Sequence, residues 1–167
     1  MNLSRTSCPN PPAYAQEHAL EGCTVGLTTV WLKSTIVRMK LIADTNTFLA
    51  VALEEPQKAQ IVRLTTGHRL VAPEVLPFEV GNALTAMLKR GVLLPAEVTA
   101  AWDAAMAIPV DLRRADVRGA LALAVRFGIY AYDAYFLECA LSLRLPLLTL
   151  DRGLRHVARQ LSIDILE

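Results

Sequence analysis

The sequence predicts an α/β fold in which helices cover both faces of a short central parallel sheet. From residue 39 onward, short apolar segments of strand character alternate with segments whose apolar residues recur at helical spacing. This alternation is typical of parallel sheets, because a parallel connection needs a crossover. Hydrophobic residues make up 53% of the 167 residues, which is enough to form a substantial core.

The composition changes near residue 39 and divides the chain in two. Residues 1–38 contain the proline-rich turn CPNPPAY and show no sustained periodicity. We expect them to be an N-terminal extension, either disordered or produced by a mis-assigned translation start, because MKLIAD at residue 39 reads as a start followed by a buried strand. The alternative is an arm used for oligomerisation. Residues 39–167 form the predicted domain.

Prolines and glycines mark the predicted elements of this domain. Pro77 and Pro95 open helices, whereas Gly67, Gly91 and Gly128 follow helices. In order, we predict a strand over 41–43, helices over 47–53 and 57–66, a strand over 70–72, helices over 77–90 and 95–107, a brief strand at 109–110, helices over 115–127 and 133–143, a strand over 147–150, a helix over 152–160 and a strand over 163–166.

Four carboxylates stand where these helices begin or strands end, namely Asp44, Glu79, Asp133 and Asp151. Asp44 and Asp151 follow strands, and parallel strands end at one edge of their sheet, where ligands bind. The other two reach that edge if their helix N-termini point to it. A divalent cation would relieve the repulsion between acids gathered there. Oxygen ligands without a histidine or cysteine cluster favour Mg²⁺, with Mn²⁺ as a substitute.

Each acid also has an ordinary structural explanation. Asp44, Asp133 and Asp151 could cap helix N-termini, and Glu79 could interact with the dipole of its helix. Two of them have surroundings unlike those of a surface cap. Asp133 lies among aromatic residues in IYAYDAYFLECA, and Asp151 follows the apolar segment LLTL.

Charge and cysteine content set further bounds. The net charge is +1, but without the four acids residues 39–167 hold 14 basic and 10 acidic residues, a balance that suits a polyanionic substrate. The three cysteines form no C-x-x-C pair, so we expect a reducing cytoplasm. The apolar stretch over 22–32 is too short to span a membrane, and a signal peptide is a weaker alternative.

Four segments, LIADTNTFLA, LPFEVGNAL, YDAYFLECA and LLTLDRGL, resemble in order the acidic motifs of PIN-domain nucleases, above all the VapC-type ribonuclease toxins. The resemblance covers residues 39–167 and implies a PIN-like α/β/α fold. It also implies that Asp44, Glu79 and Asp133 bind metal, with Asp151 completing the quartet. Asn46, Asn82 and Thr149 match supporting polar positions of the family. Their alternative is a cap or a local backbone hydrogen bond.

Three arginines near Asp151 are candidates for binding the RNA backbone. Arg152, Arg155 and Arg159 are spaced to form one helical stripe. The alternative is a solvated helix face.

The resemblance implies a Mg²⁺-dependent endoribonuclease that leaves a 5′-phosphate and a 3′-hydroxyl. It also implies a homodimer and a small antitoxin whose arginine enters the acidic pocket. We expect the helix FLAVALEEP to form part of the antitoxin groove, with core packing as the alternative. Tyr130, Tyr132 and Tyr135 are expected in the core or at a dimer interface.

Two other classes of function stay open on the residues alone. A haloacid-dehalogenase-like phosphatase also has an aspartate after its first strand, but it needs a second aspartate where Asn46 stands. Response-regulator receivers need an adjacent acid pair that this chain lacks. A non-catalytic PIN-like scaffold for RNA binding or assembly is the other alternative, although such proteins tend to lose acids of the quartet.

Overall fold

Five parallel strands form one sheet at the centre of the computed structural model, which describes residues 39–167. The strands are β1 (Lys40–Ala43), β2 (Arg69–Pro73), β3 (Val110–Arg113), β4 (Leu147–Leu148) and β5 (Ile165–Leu166). Their order is β3-β2-β1-β4-β5, and every neighbouring pair is parallel. The predicted parallel sheet is therefore confirmed.

Seven helices in this part of the chain connect and flank the strands. They are α1 (Thr45–Ala52), α2 (Lys58–Thr65), α3 (Leu76–Lys89), α4 (Pro95–Met106), α5 (Val117–Phe127), α6 (Ala131–Leu143) and α7 (Arg152–Gln160). A short parallel sheet flanked by helices confirms the predicted α/β/α class.

The register of β1 fixes the edge of the sheet at which the acids lie. Ala43 pairs with Leu148, and the backbone N–H of Asp44 donates to the Leu148 carbonyl at 3.2 Å. Thr149 therefore leaves β4 at the same level at which Asp44 leaves β1. Because the strands are parallel, both residues stand at the carboxyl edge of the sheet.

The core surrounds β1 and holds that edge in place. Leu41 and Ile42 are fully buried, as are Phe48 of α1 and Leu137 of α6. Helix α6 packs against β1 and β2, and α1 packs against α2, α3 and α4. Each large apolar side chain buried in this way stabilises the fold by about 1.5–3 kcal/mol.

The α1 segment FLAVALEEP is part of this core. Its residues Phe48, Leu49 and Ala50 are all buried, with at most 3% of their surface exposed. The prediction that this helix supplies the antitoxin groove is therefore wrong for its apolar face, and the core-packing alternative is correct. The rest of the segment is less buried: Glu54 and Pro56 are exposed, and the remaining residues, Val51, Ala52, Leu53 and Glu55, are half-buried.

Several boundaries differ from the prediction for local reasons. Strand β3 runs over Val110–Arg113 rather than 109–110, because it pairs with β2 along its whole length. Helix α5 begins at Val117 rather than 115, because the Asp116 side chain caps it by accepting from the Arg118 N–H at 3.0 Å.

The last two strands are shorter than predicted. Strand β4 ends at Leu148 rather than 150, because Thr149 and Leu150 turn towards α7. Strand β5 begins at Ile165 rather than 163. Ile163 instead packs in the core, and its N–H donates to the Ala158 carbonyl of α7 at 2.9 Å.

The predicted N-terminal extension over residues 1–38, with its apolar stretch at 22–32, lies outside the described residues. Within residues 39–167, no single helix is both long and apolar enough to cross a membrane. Helices α5 and α6 would reach that length and hydropathy only as a pair, and the pair is bent by 115°.

Candidate functional site

Asp44 lies at the end of β1, and only 3% of its surface is exposed. Its Oδ1 accepts hydrogen bonds from the backbone N–H of Thr47 at 2.9 Å and from the Thr47 hydroxyl at 2.8 Å, so Asp44 caps α1. Its Oδ2 accepts a hydrogen bond from the Thr149 hydroxyl. The capping alternative is thus correct for Asp44, but capping uses only one of its two carboxylate oxygens.

Glu79 lies in the first turn of α3 and is half-buried. Its Oε2 accepts a hydrogen bond from the Thr45 hydroxyl at 2.5 Å. Thr45 is the buried first residue of α1. Helix α1 therefore contacts two of the four acids, through Thr45 and Thr47.

Asp133 lies in the first turn of α6 rather than at its cap. Helix α6 begins at Ala131, and Tyr130 occupies the N-cap position without a side-chain capping bond. The capping alternative is therefore wrong for Asp133. A half-buried carboxylate in this position gains from the helix dipole but has no capping function.

Asp151 is exposed and caps α7, with its Oδ1 accepting from the Leu154 N–H at 2.7 Å. The capping alternative is correct here as well. The backbone N–H of Asp151 donates to the Thr149 hydroxyl at 3.0 Å. Since that hydroxyl donates to Asp44, Thr149 links the end of β1 to the start of α7.

These four acids, hereafter the acidic cluster, influence one another electrostatically. Burial raises the pKa of Asp44, and the charge of Asp151 raises it further, against the hydrogen bonds from Thr149 and Thr47. Burial also raises the pKa of Glu79, with added effects of Asp133 and Asp44. The pKa of Asp133 is raised first by burial and then by Asp151 and Asp44. The structure thus brings the four acids together at one edge of the sheet.

The donor chemistry of the acidic cluster fits a hard divalent cation. Its candidate ligands are carboxylate oxygens, which Mg²⁺ prefers. Within residues 39–167, no three acidic, histidine or cysteine side chains converge closely enough to hold an ion by themselves. An ion at this edge would therefore keep water among its ligands, as Mg²⁺ usually does, while neutralising carboxylates that burial and repulsion disfavour.

Residues 41–160 match the sequence profile of the PIN-domain family. The chain belongs to the PIN-domain family. It is also 30% identical over 121 residues to ribonuclease VapC3 of Pyrobaculum aerophilum, an alignment that covers 70% of this chain and 92% of that protein. The predicted resemblance to VapC-type PIN proteins is thus confirmed, which argues against the phosphatase and receiver alternatives.

Two solved structures share the fold of this PIN domain. The crystal structure of PAE2754 from Pyrobaculum aerophilum superposes with a TM-score of 0.59 at 22% identity, covering 77% of this chain and 83% of that one. The crystal structure of VapBC2 from Rickettsia felis bound to a DNA fragment from their promoter superposes with a TM-score of 0.55 at 9% identity, covering 77% of this chain and 98% of that one. At these identities the likeness shows the fold alone.

The supporting polar positions of the PIN domain differ in their surroundings. Thr149 is buried and makes both a local bond to the Asp151 N–H and a distant one to Asp44. Asn46 is exposed and lines a cavity together with Asp151. Asn82 is exposed on α3, one helical turn beyond Glu79.

The predicted arginine stripe on α7 is divided. Arg159 forms an ion pair with Glu167, so part of its charge is already neutralised. Arg152 is exposed, and Arg155 is half-buried with a long hydrogen bond of 3.5 Å to the Leu150 carbonyl. Both of them line one cavity, which makes them the better placed pair for a phosphate group.

The tyrosines around Asp133 are more exposed than a core position allows. Tyr130 is 83% exposed and Tyr132 is 45% exposed, so the core alternative is wrong for both. Tyr132 and Tyr135 meet edge to face, with ring centroids 6.2 Å apart. Tyr135 also lines an open cavity with Phe78, a residue that is 74% exposed.

The sequence reasoning missed the two threonines of α1 that hold the acids. Thr45 and Thr47 directly follow Asp44 in the segment DTNT, and both are buried. Hydroxyl residues in a first helical turn next to an acid are a usable signal, because they can donate to carboxylates on either side. Their pairing with Glu79 depends on how α1 packs against α3, which no spacing reveals.

Proposed function

We propose that this PIN-domain protein is a Mg²⁺-dependent endoribonuclease and the toxin of a toxin–antitoxin pair. The observation that carries the proposal is the acidic cluster at the carboxyl edge of the sheet, where burial and the neighbouring carboxylates raise the pKa of Asp44, Glu79 and Asp133. The relative named ribonuclease VapC3 supports RNA as the substrate.

Asp44, Glu79 and Asp133 would hold the cation, with Asp151 completing the set. When bound, Mg²⁺ supplies a water of lowered pKa as the nucleophile and a positive charge beside the phosphate, and Mn²⁺ can substitute. Hydrolysis joins the water oxygen to phosphorus and breaks the bond to the 3′ oxygen, which takes up a proton. The products then carry a 5′-phosphate and a 3′-hydroxyl.

The threonines prepare the acidic cluster for this chemistry. Hydrogen bonds from Thr149 and Thr47 lower the pKa of Asp44 against the effect of burial, and so favour the ionised form that a cation needs. The Thr45 hydroxyl does the same for Glu79. These bonds also orient the carboxylates of Asp44 and Glu79.

The activity is tested with single-stranded RNA, the full-length protein and Mg²⁺. The wild type should produce fragments that carry a 5′-phosphate, and EDTA should stop the reaction. Asp133→Asn and Asp44→Asn should each abolish cleavage. Asp133→Asn is the cleaner variant, since Asp133 has no capping role and circular dichroism should show an unchanged fold. Cleavage by Asp133→Asn at a near wild-type rate would overturn the proposal.

An antitoxin and a second copy of the chain are the proposed protein partners. A small antitoxin with an arginine side chain would match the charge of the acidic cluster. A homodimer is supported by an exposed apolar stripe on α5, where Val117, Leu121 and Val125 are 52%, 48% and 85% exposed. Large apolar side chains in such a row mark interaction surfaces. Because the proposed substrate is RNA, we expect the protein to act in the cytoplasm.

A further inference from the structure

Two adjoining cavities extend from the acidic cluster along α2 and α7. The first, of about 270 Å³, is lined by Asn46 and Asp151 among others. The second, of about 320 Å³, is lined by Gln60, Arg152 and Arg155 among others. Gln57 and Leu150 line both cavities, so the two lie side by side, and together they are called the Gln57 groove hereafter.

The far part of the Gln57 groove combines cationic and amide side chains with an apolar floor. Arg152 and Arg155 belong to α7, whereas Gln60 and the buried Ile61 belong to α2. Among the described residues that line this part, the one acid is Glu167, which is already paired with Arg159. This part therefore suits an anionic ligand with a flat, partly apolar body.

Within residues 39–167, the Gln57 side chain makes no hydrogen bond that the fold uses. Gln57 is the N-cap residue of α2, yet its amide makes no capping hydrogen bond. Helix caps usually carry a short polar side chain that does so. Both Gln57 and Gln60 are exposed, and each amide offers a donor and an acceptor to a ligand. Base edges of nucleic acids present matching donors and acceptors.

We propose that the Gln57 groove binds the RNA nucleotide next to the bond that is cut. Arg152 and Arg155 hold its backbone phosphate, while Gln57 and Gln60 read the edge of its base. The inference rests on the proposed ribonuclease function and adds where the strand runs and which residues set the sequence preference. Thr149 lines the same cavity as Arg152 and Arg155, and its hydroxyl donates to Asp44, which gives the short distance that adjacent nucleotides require.

The charge of the far cavity favours RNA over an antitoxin segment as its occupant. A segment that inserts an arginine into the acidic cluster would bring positive charge towards Arg152 and Arg155. An RNA strand instead brings a phosphate to that pair and leaves the scissile phosphate beside the acids. A volume of about 320 Å³ lies at the small end of the range for ligand pockets, about 300–1,000 Å³. It therefore suits a single nucleotide.

The test uses the full-length protein and a pool of RNA oligonucleotides with randomised sequence, cut in Mg²⁺ and sequenced. Gln57→Ala and Gln60→Ala should relax the base preference at one position beside the cleaved bond by about tenfold. The double variant Arg152→Ala/Arg155→Ala should raise KM by about tenfold or more, keep kcat within about twofold and lower the salt slope of RNA binding by about one, because the two arginines share one phosphate.

Two exposed residues outside the groove provide matched controls. Arg63 lies on α2 and Gln160 lies on α7, so neither Arg63→Ala nor Gln160→Ala should change the KM for RNA or the base preference. If the wild type cleaves RNA but the groove variants keep its KM and base preference, the groove inference is wrong and the ribonuclease proposal stands. Loss of antitoxin binding by the groove variants with unchanged RNA kinetics would assign the groove to the antitoxin instead. If the wild-type protein cuts no RNA, the ribonuclease proposal itself is wrong.

Discussion

The Thr149 hydroxyl donates a hydrogen bond to Asp44, although the two residues lie 105 positions apart in the chain. The same hydroxyl accepts from the Asp151 N–H at 3.0 Å. One small side chain thus fixes the distance between two strand ends and orients the most buried carboxylate of the acidic cluster. This bridge therefore supports the geometry of the acidic cluster.

Replacing the bridge should weaken the fold measurably. Thr149→Val keeps the shape of the side chain but removes the hydroxyl, leaving the buried Asp44 Oδ2 without its donor. We expect the free energy of unfolding to fall by about 1–3 kcal/mol, measured by urea denaturation. The control Thr99→Val, at an exposed position on α4, should change the free energy of unfolding by less than about 0.5 kcal/mol. Equal stability of Thr149→Val and wild type would show that the bridge contributes nothing.

The raised pKa of Asp133 predicts how stability without metal depends on pH. Burial and the neighbouring acids disfavour its ionised form in the folded state, so the folded protein holds this proton more tightly than the unfolded chain does. Stability therefore falls as pH rises from the ordinary carboxyl range, about pH 4, through the raised pKa. Asp133→Asn removes this contribution, because its amide stays neutral.

Thermal melts of both proteins in EDTA measure this effect. We expect wild type to be less stable than Asp133→Asn at neutral pH, and the difference in Tm to shrink as the pH is lowered to about 5. The difference also contains the effect of Asp133 on Glu79, which has the same sign, because the Asp133 charge raises the pKa of Glu79. A Tm difference that stays constant across this pH range would mean that neither burial nor the neighbouring acids raise the pKa of Asp133.

Cys139 should resist thiol reagents in the folded protein. It is 1% exposed, and burial, with a smaller effect of Glu138, raises the pKa of its thiol to about 11. The thiolate is the reactive form, and almost none exists at pH 8. Iodoacetamide labelling followed by peptide mass spectrometry should leave Cys139 unmodified in native protein and modified after denaturation. Rapid labelling of native Cys139 would contradict its buried position.

The apolar stripe of α5 should determine the oligomeric state. Val125 is 85% exposed, so Val125→Asp should leave the folded chain intact while placing a charge in the proposed dimer interface. Light scattering coupled to size-exclusion chromatography should find a dimer for wild type and a monomer for the variant. Arg126→Ala, its exposed neighbour, serves as the control on the same helix. A dimer that survives Val125→Asp would place the interface elsewhere.

The positions of Asp44 and Asp151 could be predicted because strand ends impose them. Each follows an apolar strand directly in sequence, and parallel strands end at one edge of the sheet. The position of Asp133 could be predicted only from the family resemblance, since its helix begins earlier, at Ala131. Local patterns do not fix where a helix N-terminus points, because tertiary packing decides it.

Individual side-chain contacts between distant helices could not be predicted. The pairing of Thr45 with Glu79 depends on how α1 packs beside α3, and the apolar face of α1 looked the same whether buried or available to a partner. Periodicity reports that a face is apolar but not what covers it. For the same reason the sequence left open whether Tyr130 lies in the core or at a dimer interface, and the structure leaves it 83% exposed.

The most direct test of the central idea, that a divalent cation joins the four acids, is calorimetric titration of Mg²⁺ into metal-free protein. Wild type should bind Mg²⁺, and Asp133→Asn should bind it more than about tenfold more weakly. The Thr99→Val variant should bind Mg²⁺ as tightly as wild type, because Thr99 lies on the exposed side of α4. Equal Mg²⁺ affinity of wild type and Asp133→Asn would contradict a metal site built from these carboxylates.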